Sequence, residues 1–231
     1  MLEKKTKILL GVIPARGGSK GIKNKNIKKV RGKPLIFYTI KHALNYRKKF
    51  QTIVTTDSLP IAHVARKCGA TVPFIRPKRL AKDGTAMLDV LKHALVTYEK
   101  INAVHVQGII LFDPTSPLRK KGDIDRMIAL FVKKKPDLVV AVTKSRRNPY
   151  FNMVRKNKDG YAQLVLRGTV VRRQDAPKIF DITNTCWIFS RQAILRGWRI
   201  PKRTMVYETH APYVDIDTKE DFKMFEQLLK E

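Results

Sequence analysis

Residues 13–26 read IPARGGSKGIKNKN and set Gly17, Gly18 and Gly21 among Arg16, Lys20, Lys23 and Lys25, directly after an apolar run. Glycine lets main-chain N–H groups come close to a ligand, and arginine and lysine neutralise negative charge. The combination suits a polyanion held against the backbone, a nucleotide triphosphate being the simplest case. The stretch is neither G-x-x-x-x-G-K-[ST] nor G-x-G-x-x-G, so on spacing alone an ordinary basic loop in solvent stays open as the alternative. Near the other end, residues 214–222 read VDIDTKEDF. In an extended segment Asp215 and Asp217 share one side, because side chains alternate with period two. Two carboxylates so placed suit a hard, oxygen-seeking ion such as Mg²⁺ that also takes phosphate oxygens. Taken alone, two acids before a helix equally serve as solvated charge or favour the helix start.

The elements that must position these groups follow from hydrophobic patterning. Continuous apolar runs at residues 8–13, 52–56, 109–112 and 138–142 read as parallel strands buried on both faces. Between them lie helical stripes: Leu35, Ile36, Thr39, Ile40, Ala43 and Leu44 after Pro34, then Leu88, Leu91, Ala94, Leu95 and Tyr98, then Ile124, Met127, Ile128 and Phe131. Strand and helix alternate, which predicts an α/β protein with a doubly wound, mostly parallel sheet. In such sheets ligands collect at the carboxyl ends of the strands, which is where residues 13–26 fall.

From residue 146 the segments shorten, with a hairpin turn expected at Asp159-Gly160, so residues 146–180 read as an insertion that extends the sheet, walls a pocket or meets another subunit. APYVDI, residues 211–216, reads as a last strand. It leads to a helix with Phe222, Phe225, Leu228 and Leu229 on one face and Thr218 and Asp221 as a capping pair.

The chain has 231 residues, 43% of them hydrophobic, enough for one substantial core, and nothing in the composition forces a second domain over residues 1–231. A formal net charge of +29 by itself suggests a nucleic-acid partner, yet the cations are spread along the chain rather than gathered in one arm, as on a lysine-rich solvated surface. No apolar run approaches the roughly 18 residues a membrane helix requires. Cys68 and Cys186 are too few and too far apart for a disulfide framework, which fits a reducing cytoplasm. His42, His63, His93, His105 and His210 show no metal-ligand spacing and no nucleophile to activate, and are assigned no catalytic role.

The opening stretch resembles the N-terminal signature of the CMP-sialic acid synthetases and their relatives that activate legionaminic and pseudaminic acids. Further matches keep that family's order: TTDS at 55–58, FIRP at 74–77, DPTSPLR at 113–119, RRQDAPKIFDIT at 172–183 and VDIDTKEDF at 214–222. The resemblance implies a nucleotide-diphospho-sugar transferase-like, Rossmann-like fold with a small β-rich dimerisation insertion. It implies a cytidylyltransferase in which the anomeric hydroxyl of an acidic nine-carbon sugar attacks the α-phosphate of CTP and expels pyrophosphate. It also implies that Arg16, Ser19 and Lys25 hold the triphosphate with Lys20 as a further cation, that Asn26 sits near the ribose, and that Ala15 and Arg76 lie near the base. Asp215 and Asp217 would hold Mg²⁺, with Arg16, Lys25 and Asp217 closest to the chemistry. Ser116 and Arg119 would shape the sugar pocket, joined by Asn184, while Arg172, Arg173 and Gln174 would meet the sugar carboxylate.

A homodimer crossing through residues 146–180 is expected on the same ground. The sequence departs from the pattern at Asp113, where sialic acid enzymes carry Gln, and at DGTAML, where Thr85 is the nearest hydroxyl in place of a serine-rich segment. An aspartate facing an anionic sugar repels it unless paired. A CMP-Kdo-type synthetase and a non-catalytic, basic, nucleic-acid-binding relative are the competing readings.

Overall fold

A computed structural model of the chain describes residues 7–18, 21–166, 168 and 172–229. The chain runs through β1 (Lys7–Pro14), a short ribbon of β2 (Lys29–Val30) and β3 (Lys33–Pro34), α1 (Leu35–Leu44), β4 (Gln51–Thr55), α2 (Leu59–Lys67), α3 (Met87–Asn102), β5 (His105–Leu111) and α4 (Asp123–Lys134). It continues through β6 (Leu138–Lys144), the hairpin β7 (Val154–Lys156) and β8 (Ala162–Leu164), β9 (Phe180–Ser190), α5 (Arg191–Arg196), β10 (Thr204–Glu208) and α6 (Lys219–Leu228).

Six strands form one sheet in the order β10-β6-β9-β5-β1-β4. β1 is parallel to β4 and β5, β10 is parallel to β6, and β9 is antiparallel to both of its neighbours. Alternation along the strands feeds two cores. On one face Ile13, Val54, Ile110 and Ile188 pack with Ile36 and Ile40 of α1, Ile61 of α2 and Met127 of α4. On the other, Val12, Ile53, Ile109 and Phe189 pack with Leu91 and Leu95 of α3 and Ile194 of α5. Both faces are therefore covered by helices, as the apolar strand runs predicted.

Two readings of the late chain change. The shorter segments that begin at residue 146 lead into β9, an eleven-residue strand in the middle of the sheet, between β5 and β6. Its burial comes from partners distant in sequence, which local patterning does not reveal. APYVDI is extended but forms no strand; its main-chain tie is the Ile216 N–H to the Thr115 carbonyl at 2.9 Å. The late edge strand is instead TMVYE of β10, none of whose residues is fully buried, so it carries no strong apolar signal. The cap of α6 is as expected, with Thr218 and Asp221 forming a reciprocal capping box.

A third core brings the two ends of the chain together. Ile22, Val30 and Leu35 from the early segment pack with Val214, Ile216, Phe222 and Phe225 from the late one. Burying each of the two phenylalanine rings contributes about 1.5–3 kcal/mol. This anchors the VDID segment beside the first strand's loop.

His42 on α1 packs against Tyr46 and Phe112. Burial, and then the Arg119 guanidinium, hold its imidazole down from 6.5 to about 4. The unfolded chain takes up that proton near 6.5 and the folded protein resists it, so this contribution to stability is complete above the upper value and is lost as pH falls toward the lower. The loss approaches about 3 kcal/mol. Thermal melts across that window should show the decline, and His42→Phe should flatten it; an unchanged slope in the variant would assign the decline elsewhere.

Candidate active site

β1, β4 and β5 end side by side: Pro14 pairs with Thr55 and Val12 with Leu111. The segments that follow, from Ala15, Thr56 and Phe112, therefore open on the same edge. Together with residues 76–90 and Asp217 they enclose a pocket of about 550 Å³. A larger cleft of about 740 Å³ lies at the opposite ends of β5 and β6 and holds none of these groups.

The pocket wall carries Arg16, Lys25, Arg76 and Lys82, with Asp83, Asp113 and Asp217 between them. Lys25 donates from Nζ to the Ile216 carbonyl and, at 2.9 Å, to Asp217 Oδ1. A Cβ at Gly21 would stand 2.5 Å from the Asp217 carbonyl oxygen, so the early and late segments approach main chain to main chain only because position 21 lacks a side chain. Arg16 pairs with Asp83 across the pocket mouth. Asn26 is buried, donates from Nδ2 to the Arg16 carbonyl at 3.2 Å and leaves its Oδ1 without a partner. Such an atom in a pocket wall is ready for a ligand donor or water.

Arg76 is 3% exposed and its Nε has no partner. Burial pulls its pKa down, and Asp57, 3.7 Å away, opposes that shift. Asp57 also accepts the Gly17 N–H at 3.0 Å. One carboxylate thus ties the glycine loop to the buried guanidinium.

The floor is built from DPTSPLR. The Thr115 hydroxyl lies 2.8 Å from Asp113 Oδ1 and 2.7 Å from Asp215 Oδ1. A hydroxyl carries one hydrogen, so both contacts are hydrogen bonds only when one carboxyl group keeps a proton. Burial, with Asp215 adding to it, pushes Asp113 above the usual carboxylate range against the pull of the Thr115 hydrogen bonds. Asp215 also accepts from Ser116 Oγ at 3.3 Å and from Asn184 Nδ2 at 2.7 Å.

Arg119 turns into the protein, donating to the Thr185 carbonyl at 2.7 Å, the Asp113 carbonyl at 2.9 Å and the Thr39 hydroxyl at 3.2 Å. Burial takes its pKa down to about 10. It clamps the floor loop onto α1 and β9.

A cytidylyltransferase profile matches residues 10–231. The chain belongs to the cytidylyltransferase family. It is 36% identical over 223 residues to the CMP-N,N'-diacetyllegionaminic acid synthase of Campylobacter jejuni, covering 96% of this chain and 94% of that protein. It is 35% identical over 225 residues to the post-translational flagellin modification protein B of Campylobacter coli, covering 96% and 95%. Among solved structures it is similar in fold to a CMP:2-keto-3-deoxy-manno-octonic acid synthetase complexed with CTP, with TM-score 0.70, 15% identity and coverage of 97% and 98%. The fold is that of nucleotidyltransferases, and the protein is an enzyme of that class.

Within this cytidylyltransferase the pocket gathers Arg16, Lys25, Asn26, Arg76, Thr85, Asp113 and Asp217 from the sequence-derived set. Ala15 lies buried behind it, its N–H on the Thr55 carbonyl. Ser116, Asn184 and Asp215 form the layer beneath. Ser19 and Lys20 fall outside the described residues, as does the side chain of Arg173. Arg172 is exposed and pairs with Asp175, and Gln174 lines a separate cleft of about 460 Å³ with Lys144, Arg147 and Lys178, so neither joins the pocket in this chain.

Sequence reasoning missed Asp57, Lys82, Asp83 and Thr115. TTDS and DPTSPLR stand out as motifs, but which of their side chains bridge to other segments depends on contacts across the fold.

The donor chemistry suits a hard cation held largely by its substrate. Among the described residues no three His, Cys, Asp or Glu side chains converge as a protein cage for a metal. Mg²⁺ typically uses one or two carboxylates together with phosphate oxygens and water. The Asp217 side chain, 74% exposed and on the pocket wall, fits that requirement, whereas both Asp215 oxygens already accept protein hydrogen bonds.

Proposed function

We propose that the protein joins CMP from CTP to the anomeric hydroxyl of a nonulosonic acid, with release of pyrophosphate. The observation that carries this reading is the junction of Lys25 with Asp217, which puts a cation from the glycine loop and an exposed carboxylate on one pocket wall. The names of the full-length relatives support the sugar class.

In the reaction the sugar oxygen forms a bond to the α-phosphorus as the bond to pyrophosphate breaks, and the hydroxyl proton leaves to solvent. No covalent enzyme intermediate is required, so the residues contribute orientation and charge neutralisation. Arg16, Lys25 and Lys82 face the triphosphate, Arg76 reads the base, and Asn26 Oδ1 accepts from the nucleoside. Asp217 would hold Mg²⁺, which when bound polarises phosphate and lowers the pKa of a coordinated hydroxyl. Asp113, turned to Thr115, and Asp215, turned to Asn184, fix the floor on which the sugar rests. We place the enzyme in the cytoplasm as a homodimer through residues 146–180, whose hairpin exposes Val154 and Tyr161. Sedimentation of the pure protein tests this, a persistent monomer being the adverse result.

Incubation with CTP, Mg²⁺ and a panel of sialic, legionaminic and pseudaminic acids should release pyrophosphate with at least one of them. Silence across the panel from protein that binds CTP would refute the reading.

Asp57 gives a sharper expectation. Asp57→Ala removes the acceptor of Gly17 and the charge facing Arg76, so the KM for CTP should rise by about tenfold or more and preference over UTP should fall. Asp57→Asn keeps an acceptor and should do less on both counts. Equal selectivity in all three proteins would detach Asp57 from base recognition.

A further inference from the structure

The face opposite the candidate site carries a patch that catalysis does not use. α4 ends on Lys133 and Lys134 with Lys135 next, all exposed, and residues 196–203, from the last residue of α5 onward, read RGWRIPKR, with four cations and no acid. The two are joined: Arg203 Nη2 donates to the Lys135 carbonyl at 2.9 Å, and the Asp137 N–H donates to the Arg203 carbonyl at 3.0 Å. They rim the cleft of about 740 Å³ at the amino ends of β5 and β6.

Among these cations stand apolar side chains in water. Val132 is 57% exposed, Ile200 52% and Trp198 37%, with Leu195 beside them. The Arg196 guanidinium lies 4.7 Å from the Trp198 ring centroid. Of the acids nearby, Glu99 pairs with Arg191, and Asp137, half-buried in the cleft wall, is outnumbered by the cations around it.

We propose that this face docks on an anionic lipid bilayer, the cations meeting headgroup phosphates and Trp198, Ile200 and Val132 entering the interfacial layer. Charge complementarity and the kind of apolar residue select the occupant. A polynucleotide offers phosphates but little to aliphatic side chains, and it favours aromatic platforms. Here one of Trp198's faces is already covered by arginine, and its neighbours are aliphatic. Aromatic and aliphatic tips among lysines and arginines are what peripheral bilayer binding uses. Because the candidate site opens at the carboxyl ends of β1, β4 and β5, docking by the other end leaves it open to CTP and sugar. The placement also gives part of the +29 net charge a use.

The test is co-sedimentation of the intact protein with vesicles of phosphatidylcholine alone or mixed with phosphatidylglycerol, at physiological salt. The protein should pellet with the anionic vesicles. Trp187 is buried and Trp198 exposed, so emission should shift to shorter wavelength through Trp198. Ile200→Asn should weaken binding, and the pair Lys133→Gln with Lys134→Gln should weaken it by about fivefold per charge. Thermal melts establish that each variant is folded.

Lys120→Gln with Lys121→Gln removes the same charge elsewhere and should change binding much less. Equal weakening by the two pairs would make the attraction diffuse and overturn the proposal. So would absence of pelleting, pelleting without a Trp198 shift, or a duplex oligonucleotide that displaces the vesicles while engaging the same residues.

Discussion

Asp217→Asn should lower turnover with CTP by about 10²- to 10³-fold while leaving the fold intact. The carboxylate is largely exposed, and its ion pair with Lys25 is the kind that adds little to stability. The cap of α6 does not depend on it, because the main-chain N–H groups of Asp217 and Thr218 both go to Asp221. Asparagine keeps the shape and an oxygen for Lys25 and removes only the negative charge. A loss of turnover at unchanged melting temperature therefore reads the charge itself. The variant should also show a weaker dependence on added Mg²⁺. Wild-type turnover in the variant would end the assignment of Asp217 to the reacting phosphates.

Lys25→Met is the second large effect. The side chain is 12% exposed, and its ammonium is shared between the Ile216 carbonyl and Asp217, so it both faces the pocket and holds the late segment in place. Hydrogen bonds to charged groups contribute about 1.5–3 kcal/mol, which corresponds to a fall in kcat/KM of roughly 10- to 150-fold. Combined with Asp217→Asn, the two losses should be less than additive, because the residues touch and act on the same phosphates. Full additivity in a double-mutant cycle would mean that the contact does not couple them. Neither substitution should alter the pH dependence of stability set by His42, which lies in a different core.

Much of the fold could be read along the chain because the strands β1, β4, β5 and β6 are buried on both faces and announce themselves as continuous apolar runs. The helices α1, α3 and α4 each show one apolar stripe. β9 and β10 were hidden for opposite reasons. β9 opens on the mixed stretch FDITNT, turns apolar only at CWIF and acquires its central place from β5 and β6, whereas β10 is an edge strand with no fully buried residue. The extended VDID segment has strand-like composition but finds Thr115 rather than a ladder.

At the site, composition and order by themselves determined that a flexible cationic loop follows the first strand, that carboxylates precede the last helix, and that the motifs between them keep the sequence of one enzyme family. These are local properties of residue type, and they survive without coordinates. Only the tertiary structure decided that Lys25 meets Asp217, that Asp57 joins Gly17 to Arg76, that Thr115 stands between two carboxyl groups, and that Arg119 faces inward while Arg172 and Gln174 stay outside the pocket. Each of those outcomes depends on packing between segments as much as 192 positions apart. The apolar cluster that closes such distances holds Ile22, Val214 and Phe225 together, and neither segment read alone shows which partner its apolar residues meet.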